Sequence, residues 1–324
     1  MSSSDRDPLP VAVIGAGNMG SNHIRVYDEL PEAELVEVVE TNPETAASVQ
    51  KEYNVRVLDD VGDIEYAQAV SIAVPNELHL PVARQCIAEL ELDILVEKPL
   101  ASTVEAAQEI VKLADDYDAI LQVGHIERYN PAIQVVEDIL DSQDVIAIEA
   151  HRLGPFHEHL VDQSVVIDLM IHDIDVINSL VEAPVSRIDA VGAAKRSEDL
   201  DHAIANFQFQ DGTLGTVVSS HVTHGKVREL DVTTQDAYIS LNYQQQRVVI
   251  QQRGTEQMTV LNNKTGYRTE TITETPFVST CEPLKNELED FVKCVHERST
   301  PLVDGETGAQ AVDIASRVLE SIEG

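Results

Sequence analysis

Basic residues are scarce in this chain. Its 22 Lys and Arg, which count out as 8 Lys and 14 Arg, face 57 Asp and Glu, for a formal net charge of −35. With no basic face to offer, nucleic acid is excluded as a partner. Cysteine is also scarce. Cys86, Cys281 and Cys294 are too few and too scattered for a disulfide framework or a cysteine-based zinc site, and predict a reducing, cytoplasmic setting. No run of 18 apolar residues occurs, which predicts no transmembrane helix and no membrane partner. The first residues, Met1 to Asp7, lack a basic-then-apolar pattern, so a short frayed tail is expected there rather than a signal peptide. Repeats and low-complexity stretches are absent as well.

What is present is enough apolar material, 43% of 324 residues, for full cores in two domains. The acids spread along the whole chain instead of gathering in a tail. In dilute buffer such a shell repels itself, whereas at about 1 M salt the Debye length is only ~3 Å and the repulsion is screened. This predicts adaptation to a salt-rich cytosol, as in halophilic archaea. An acidic surface for a basic partner is the competing reading, and the even spread argues against it.

The first third alternates strand and helix. Val11–Ile14 reads as a buried strand feeding Gly15-Ala16-Gly17-Asn18-Met19-Gly20, after which Ser21 to Leu30 reads as a helix. A glycine pattern in that context points to a dinucleotide. Gly15 permits the tight turn, Gly17 lets backbone approach a pyrophosphate, and Gly20 lets helix and strand pack closely; the N–H groups of the helix start face the phosphates. A second strand, Leu35–Val39, ends at Glu40, 20 residues past Gly20, where a carboxylate accepts from the adenosine ribose hydroxyls. Thr41-Asn42-Pro43 brings no base for a 2′-phosphate, so NAD is expected over NADP. Glu40 as one more surface acid is the plain alternative. A helix from Pro43 to Tyr53 and strands at Val55–Leu58 and Ala69–Val74 follow. The last strand breaks at Pro75-Asn76, with His79 one turn into a helix running to Leu90. These three residues would line the nicotinamide end of a cleft, although turn chemistry alone accounts for the Pro and Asn.

The strand Asp93–Val96 then runs straight into Glu97-Lys98-Pro99, and proline stops it. Ligands sit at such strand ends in open parallel sheets, so Lys98 is held on rigid backbone and aimed at a crevice. Thr103 is set to cap a helix ending near Tyr117, and Ala119–Gly124 completes six β-like runs. The pattern predicts a doubly wound parallel sheet over residues 1–124.

Gly15 to Gly20, Val74-Pro75-Asn76 with His79, and Glu97-Lys98-Pro99 together resemble the Gfo/Idh/MocA family of NAD(P)-dependent sugar oxidoreductases over nearly the whole chain. The resemblance implies that Asn18, Met19 and Glu97 join the cofactor-binding set. It also implies that Lys98 reaches the substrate hydroxyl and the nicotinamide, often next to a cis Lys-Pro bond.

Residues 125–324 read as an α+β domain with a large open antiparallel sheet. Strands are expected at Val145–Arg152, Arg187–Ala194, Ala203–Gln210, Leu214–His221, Arg228–Gln235, Tyr238–Tyr243, Arg247–Gln252 and Arg268–Thr273. The outer face of such a sheet needs cover, which predicts a homodimer or homotetramer. One helix carries chemistry, from Ser164 to Ile177. Asp168 and His172 are i, i+4 on one face, and Asp175 lies three further on. A carboxylate beside an imidazole fixes its tautomer and raises its basicity, giving a general base; a structural ion pair is the plain alternative. A metal at His151, His157, His159, His172 and Asp173 is disfavoured, because no helical His pair has ligand spacing. The resemblance places Asp168 and His172 in the active site with Lys98. The family's usual two glycines ahead of this Asp are missing, with Gln163-Ser164-Val165 in their place. Gly124–Pro131, Arg152–Phe156 and Ile167–Ile177 are most similar to the branch that oxidises the 3-hydroxyl of UDP-N-acetylglucosamine. Arg128 and Arg152 are then candidates for a substrate phosphate, against surface ion pairs, and Asp175 for a substrate contact. The helices Pro283–His296 and Glu306–Ile322 read as structural, the last packing back on the first domain. A free-sugar or inositol-type dehydrogenase, or a catalytically silent NAD-binding regulator, are the other functions this pattern admits.

Overall fold

The computed structural model describes residues 7–140, 144–156, 164–181, 183–261 and 264–324, with backbone alone at 255–261 and 264–269. The chain forms two compact units, Met1–Tyr129 with Cys281–Ser316 and Asn130–Thr280 with Arg317–Gly324. The single boundary expected at Gly124 is corrected on one point: the helix at Pro283 belongs to the first unit, because its apolar face completes that unit's core.

In the first unit, β1 (Leu9–Ile14), β2 (Ala33–Val39), β3 (Arg56–Leu58), β4 (Ala69–Ile72), β5 (Asp93–Glu97) and β6 (Leu121–Gly124) form one sheet in the order β3-β2-β1-β4-β5-β6. Every pairing is parallel. The apolar runs of β1, β4 and β5 are buried almost throughout, as strands covered on both faces must be. Helix α1 (Asn18–Glu29) buries His23, Ile24, Val26 and Tyr27. Helix α2 (Pro43–Tyr53) starts where Asn42 accepts from the N–H groups of Glu44 and Thr45, with Pro43 at its first position, and ends at left-handed Asn54. Helix α4 (Val104–Tyr117) is capped by Thr103, which accepts from the Ala106 N–H. Helix α7 (Pro283–Glu297) inserts Leu284, Leu288, Phe291, Val292 and Val295 among Leu9, Val11, Ile24 and Tyr27. Burying each such side chain stabilises the unit by about 1.5–3 kcal/mol.

The stretch Glu77–Leu90 is not one regular helix. A 3₁₀ turn (Asn76–Leu78) leads into α3 (His79–Arg84), which widens into a π turn at Gln85–Glu89. Glu37 on β2 is fully buried and satisfied: it accepts from Arg56 Nη1 and from the backbone N–H groups of Glu65, Tyr66 and Ala67.

In the second unit, α5 (Pro131–Leu140) and α6 (Ile171–Leu180) accompany an eight-stranded sheet. Its strands are β7 (Val145–Leu153), β8 (Val185–Ala193), β9 (His202–Phe209), β10 (Leu214–Ser220), β11 (Val227–Thr234), β12 (Ala237–Asn242), β13 (Arg247–Leu261) and β14 (Lys264–Glu274). They lie in the order β14-β13-β12-β11-β7-β10-β9-β8. All pairs are antiparallel except β7 with β10. Period-2 alternation gives the sheet one buried face; β9 turns Ala203, Ala205, Phe207 and Phe209 inward and Asn206 and Gln208 outward. Helix α8 (Gly305–Glu323) closes the chain, and a side chain on Gly308 would stand 2.5 Å from Val123 of β6. Among the described residues, no helix is long and apolar enough to cross a membrane.

Candidate active site

The strand order of the first sheet reverses between β1 and β4, so their connections leave in opposite directions and open a crevice at the carboxyl ends. A cleft of about 430 Å³ lies there. It is lined by Gly15 and Gly17 after β1, Glu40 and Thr41 after β2, Asp59 and Asp60 after β3, and Val74 and Pro75 after β4.

The three glycines of the turn differ in what surrounds them. Gly15 has φ +88°, and a Cβ on it would stand 2.8 Å from the Ala73 carbonyl oxygen. A Cβ on Gly20 would stand 1.8 Å from the Gly15 oxygen, so α1 can meet β1 only through glycine. Gly17 is different: nothing lies within 4 Å of its missing Cβ, and it caps α1 with no side-chain hydrogen bond. The first N–H groups of α1 thus face open space, flanked by exposed Asn18 and half-buried Met19. Glu40 bridges the turn. One of its oxygens accepts from the Ala16 N–H at 2.9 Å and the other from the Asn42 N–H at 2.7 Å. A dinucleotide fits this arrangement: free amides for a pyrophosphate, and beside them a fixed carboxylate for ribose hydroxyls.

Lys98 leaves the carboxyl end of β5, next to β4, half-buried and followed by a cis bond to Pro99. Pro75 lines the cleft, and Asn76 opens the 3₁₀ turn behind it. His79 and Glu97 are placed otherwise than expected. His79 is buried, with Nδ1 2.9 Å from the Pro99 oxygen and Nε2 3.0 Å from the Val74 oxygen. It ties the loop after β4 to the loop after β5 and is not among the residues lining the cleft. Burial lowers its pKa, against the pull of those carbonyls and of Glu97. Glu97 is also buried and accepts from His23 Nε2 at 2.8 Å. Arg128 is buried in a 3₁₀ turn, Ile126–Tyr129.

In the second unit the expected helix is two elements. A π turn spans Val166–Met170 and α6 follows. The π turn has more residues per turn than the α-helix assumed from spacing. The Asp168 carboxylate, with its side chain 26% exposed, lies 2.9 Å from Nε2 of His221, a ring that sequence reasoning missed. The signal was available: Gly215, Val217 and Ser219 are the inward positions of β10, and His221 continues that series past the strand end. His172 is half-buried on the first turn of α6.

Two of the expected substrate contacts, Arg152 and Asp175, are buried. Arg152 is buried at 3% exposure, its guanidinium held by both oxygens of Asp173 at 2.8 Å and stacked 5.1 Å from the Tyr243 ring centre. A guanidinium removed from water must be paired, and Asp173 supplies that pairing. Asp175 is buried as well. His157 and His159 lie outside the described residues.

Residues 9–125 match the family model described as "Oxidoreductase family, NAD-binding Rossmann fold", and residues 145–240 match that of the "GFO/IDH/MocA C-terminal domain". The chain belongs to the Gfo/Idh/MocA family. Its NAD(P)-binding sheet and mostly antiparallel second sheet are those of the family, whose members are oxidoreductases. Among Gfo/Idh/MocA proteins it is similar to the UDP-N-acetylglucosamine 3-dehydrogenase of Acidithiobacillus ferrooxidans, 29% identical over 97% of both chains. A solved structure of that enzyme superposes with a TM-score of 0.87 over 97% of each chain. The inositol 2-dehydrogenase of Rubrobacter xylanophilus is 28% identical over 68% of this chain and 67% of its own. A levoglucosan dehydrogenase solved with NADH shares the fold at 21% identity, with a TM-score of 0.80 over 98% of this chain and 97% of that one.

Proposed function

We propose that this protein is an NAD-dependent dehydrogenase acting on a secondary hydroxyl of a nucleotide sugar of the UDP-N-acetylglucosamine kind, at the 3-position. The observation that carries the reading is the pairing, on neighbouring strand ends of one sheet, of a glycine-walled cleft with an amine, Lys98. End-to-end similarity to a UDP-N-acetylglucosamine 3-dehydrogenase supports the substrate. The choice of NAD rests on charge: Glu40, Asp59 and Asp60 all line the cleft, and three carboxylates repel a 2′-phosphate.

Bound in the cleft, the nicotinamide supplies the hydride acceptor. The residues do the rest. Gly17 and the start of α1 take the pyrophosphate, and Glu40 takes the ribose. His172 removes the hydroxyl proton, and Asp168 orients the catalytic imidazole. Lys98 donates a hydrogen bond to the same oxygen and stabilises its developing negative charge. The outward face of the second sheet carries Val191, Leu214 and Tyr238 at 65%, 52% and 40% exposure, which supports a homodimer or homotetramer that covers it. The acidic shell supports assay in molar salt.

The test is NADH formation in high salt with UDP-N-acetylglucosamine, free N-acetylglucosamine and myo-inositol. Turnover with the nucleotide sugar is expected, and Lys98→Ala and His172→Ala each lower kcat by about 10²–10⁴-fold. Near-normal turnover in both variants refutes the assignment. Turnover of myo-inositol alone favours the second reading, an inositol-type dehydrogenase, which the 28% identity to such an enzyme supports. NAD binding without turnover of any sugar points to a regulator.

A further inference from the structure

The first unit buries a group of polar side chains that the chemistry above does not use. Helix α1 turns His23 inward, β5 ends in Glu97, and α7 brings in Glu287; His23 and Glu287 have no exposure at all. A ring nitrogen of His23 and one oxygen from each carboxyl lie within 4.8 Å of one another. His23 Nε2 donates to Glu97 Oε1 at 2.8 Å, which fixes the tautomer. The other Glu97 oxygen accepts from the backbone N–H of Lys98 at 3.3 Å. A Cβ on Gly124 would stand 3.1 Å from that same oxygen, so the carboxylate is wedged between strands. Gln122 on β6 anchors α7 by donating to the Glu287 backbone carbonyl at 2.9 Å.

Glu287 itself is the anomaly. Neither of its side-chain oxygens has a hydrogen-bond partner. Glu37, a fully buried carboxyl elsewhere in this unit, is by contrast satisfied: it holds three backbone N–H groups and an arginine. A bare carboxylate beside the charged Glu97 has no such support, and two carboxylates sharing one dry site do not both ionise. The other titratable groups facing it are Asp290 on its own helix, Tyr27 on α1 and Tyr129 after β6. None of them supplies positive charge. Burial first, then the charges of Glu97 and Asp290, push the Glu287 pKa well above the carboxylate range.

We infer that Glu287 is held as a neutral carboxylic acid beside Glu97, and that His23–Glu97–Glu287 acts as a positioning cluster for the strand end that carries Lys98. The protonation rests on burial and geometry alone; the positioning role also rests on Lys98 being catalytic. No covalent step is involved. Kept neutral, Glu287 presents no second negative charge from which Glu97 would recoil.

Three measurements on the full-length enzyme in molar salt test this. Infrared difference spectra of wild type against Glu287→Gln at neutral pH are expected to show a protonated-carboxyl C=O band that the variant lacks. Folding stability gives the second readout. The folded pKa of Glu287 is raised, so the folded state keeps a proton that the unfolded state releases. Its stabilising share is whole below the ordinary carboxylate pKa and declines, with a slope of one proton, as pH rises toward the raised value. Glu287→Gln removes that slope. In the third, Glu287→Gln, which still donates from its amide, is expected to keep kcat within about twofold of wild type. Glu287→Ala should lose about tenfold in kcat with KM for NAD unchanged, the scale of one hydrogen bond.

A missing infrared band, or a wild-type slope that Glu287→Gln leaves intact, overturns the neutral acid. So does stoichiometric Zn²⁺ or Mn²⁺ binding that Glu287→Gln abolishes, because the group would then be a cation site. Equal kcat in Glu287→Ala and wild type overturns the positioning role. Full activity in Lys98→Ala refutes the functional reading and leaves the band and the slope standing, so the two failures are distinguishable.

Discussion

The two units build their functional residues in opposite ways. In the first, the cofactor cleft is made of consecutive backbone: a turn of six residues, its carboxylate one strand away, and the ends of strands already buried on both faces. In the second, the residues of interest are side chains that find partners far along the chain. Asp168 meets His221 across 53 positions, and Arg152 meets Asp173 across 21. A backbone device tolerates no change at its tight points and says little about substrate. A side-chain device can be dismantled one partner at a time.

The sharpest way to break this contrast is Gly20→Ala. The new Cβ would stand 1.8 Å from the Gly15 oxygen, and no flexible side chain is there to yield. We expect a loss of more than about 4 kcal/mol of stability, or an enzyme with no measurable NAD affinity, read by urea unfolding and by NADH fluorescence titration. A variant with normal values in both would show that the turn is not the rigid part.

Next in size is Arg152→Met. It strands the Asp173 carboxylate in the core and should cost about 3–5 kcal/mol in thermal or urea unfolding. Adding Asp173→Leu should recover most of that loss, because an apolar pair of similar volume carries no stranded charge. If the double variant is no better than the single, the pair is contributing through its stack on Tyr243 instead.

The smallest effect is expected from His221→Phe, which fills the same space and removes the donor to Asp168. A hydrogen bond to a charged group is worth about 1.5–3 kcal/mol, so kcat/KM for the sugar should fall roughly ten- to hundredfold with NAD affinity unchanged, and unfolding should register a loss no larger than that bond. A fall in NAD affinity instead would move His221 out of the substrate half of the chemistry.

How much of this was legible beforehand follows the same contrast. The glycine turn, the caps at Asn42 and Thr103, and the strand that ends at Lys98 are local, and their residue types state the geometry. The fold class follows from the same alternation and was legible. The partner of Glu97 was not, because His23 lies 74 residues away in a helix whose pattern gives no reason to single out one buried ring. The π turns at Gln85–Glu89 and Val166–Met170 left no mark in the hydrophobic spacing, and the bond between Asp168 and His221 joins positions that spacing along one helix does not report on. Arg152 read as a candidate for phosphate because charge alone does not reveal burial. Only its inward place on β7, beside buried Ala150, carries that information.

The contact of Gly20 with Gly15 has a wider consequence. Helix α1 and strand β1 are welded into one piece, so the phosphate end of the seat cannot be retailored without losing the seat. On the function proposed above, a change of cofactor falls instead to the other wall of the cleft, and there to Thr41 and Asp59, because Glu40 and Asp60 each hold backbone N–H groups, of Ala16 and Asn42 and of Gly62. On that reading the choice of cofactor rests on very few wall positions, while the turn beside them stays fixed.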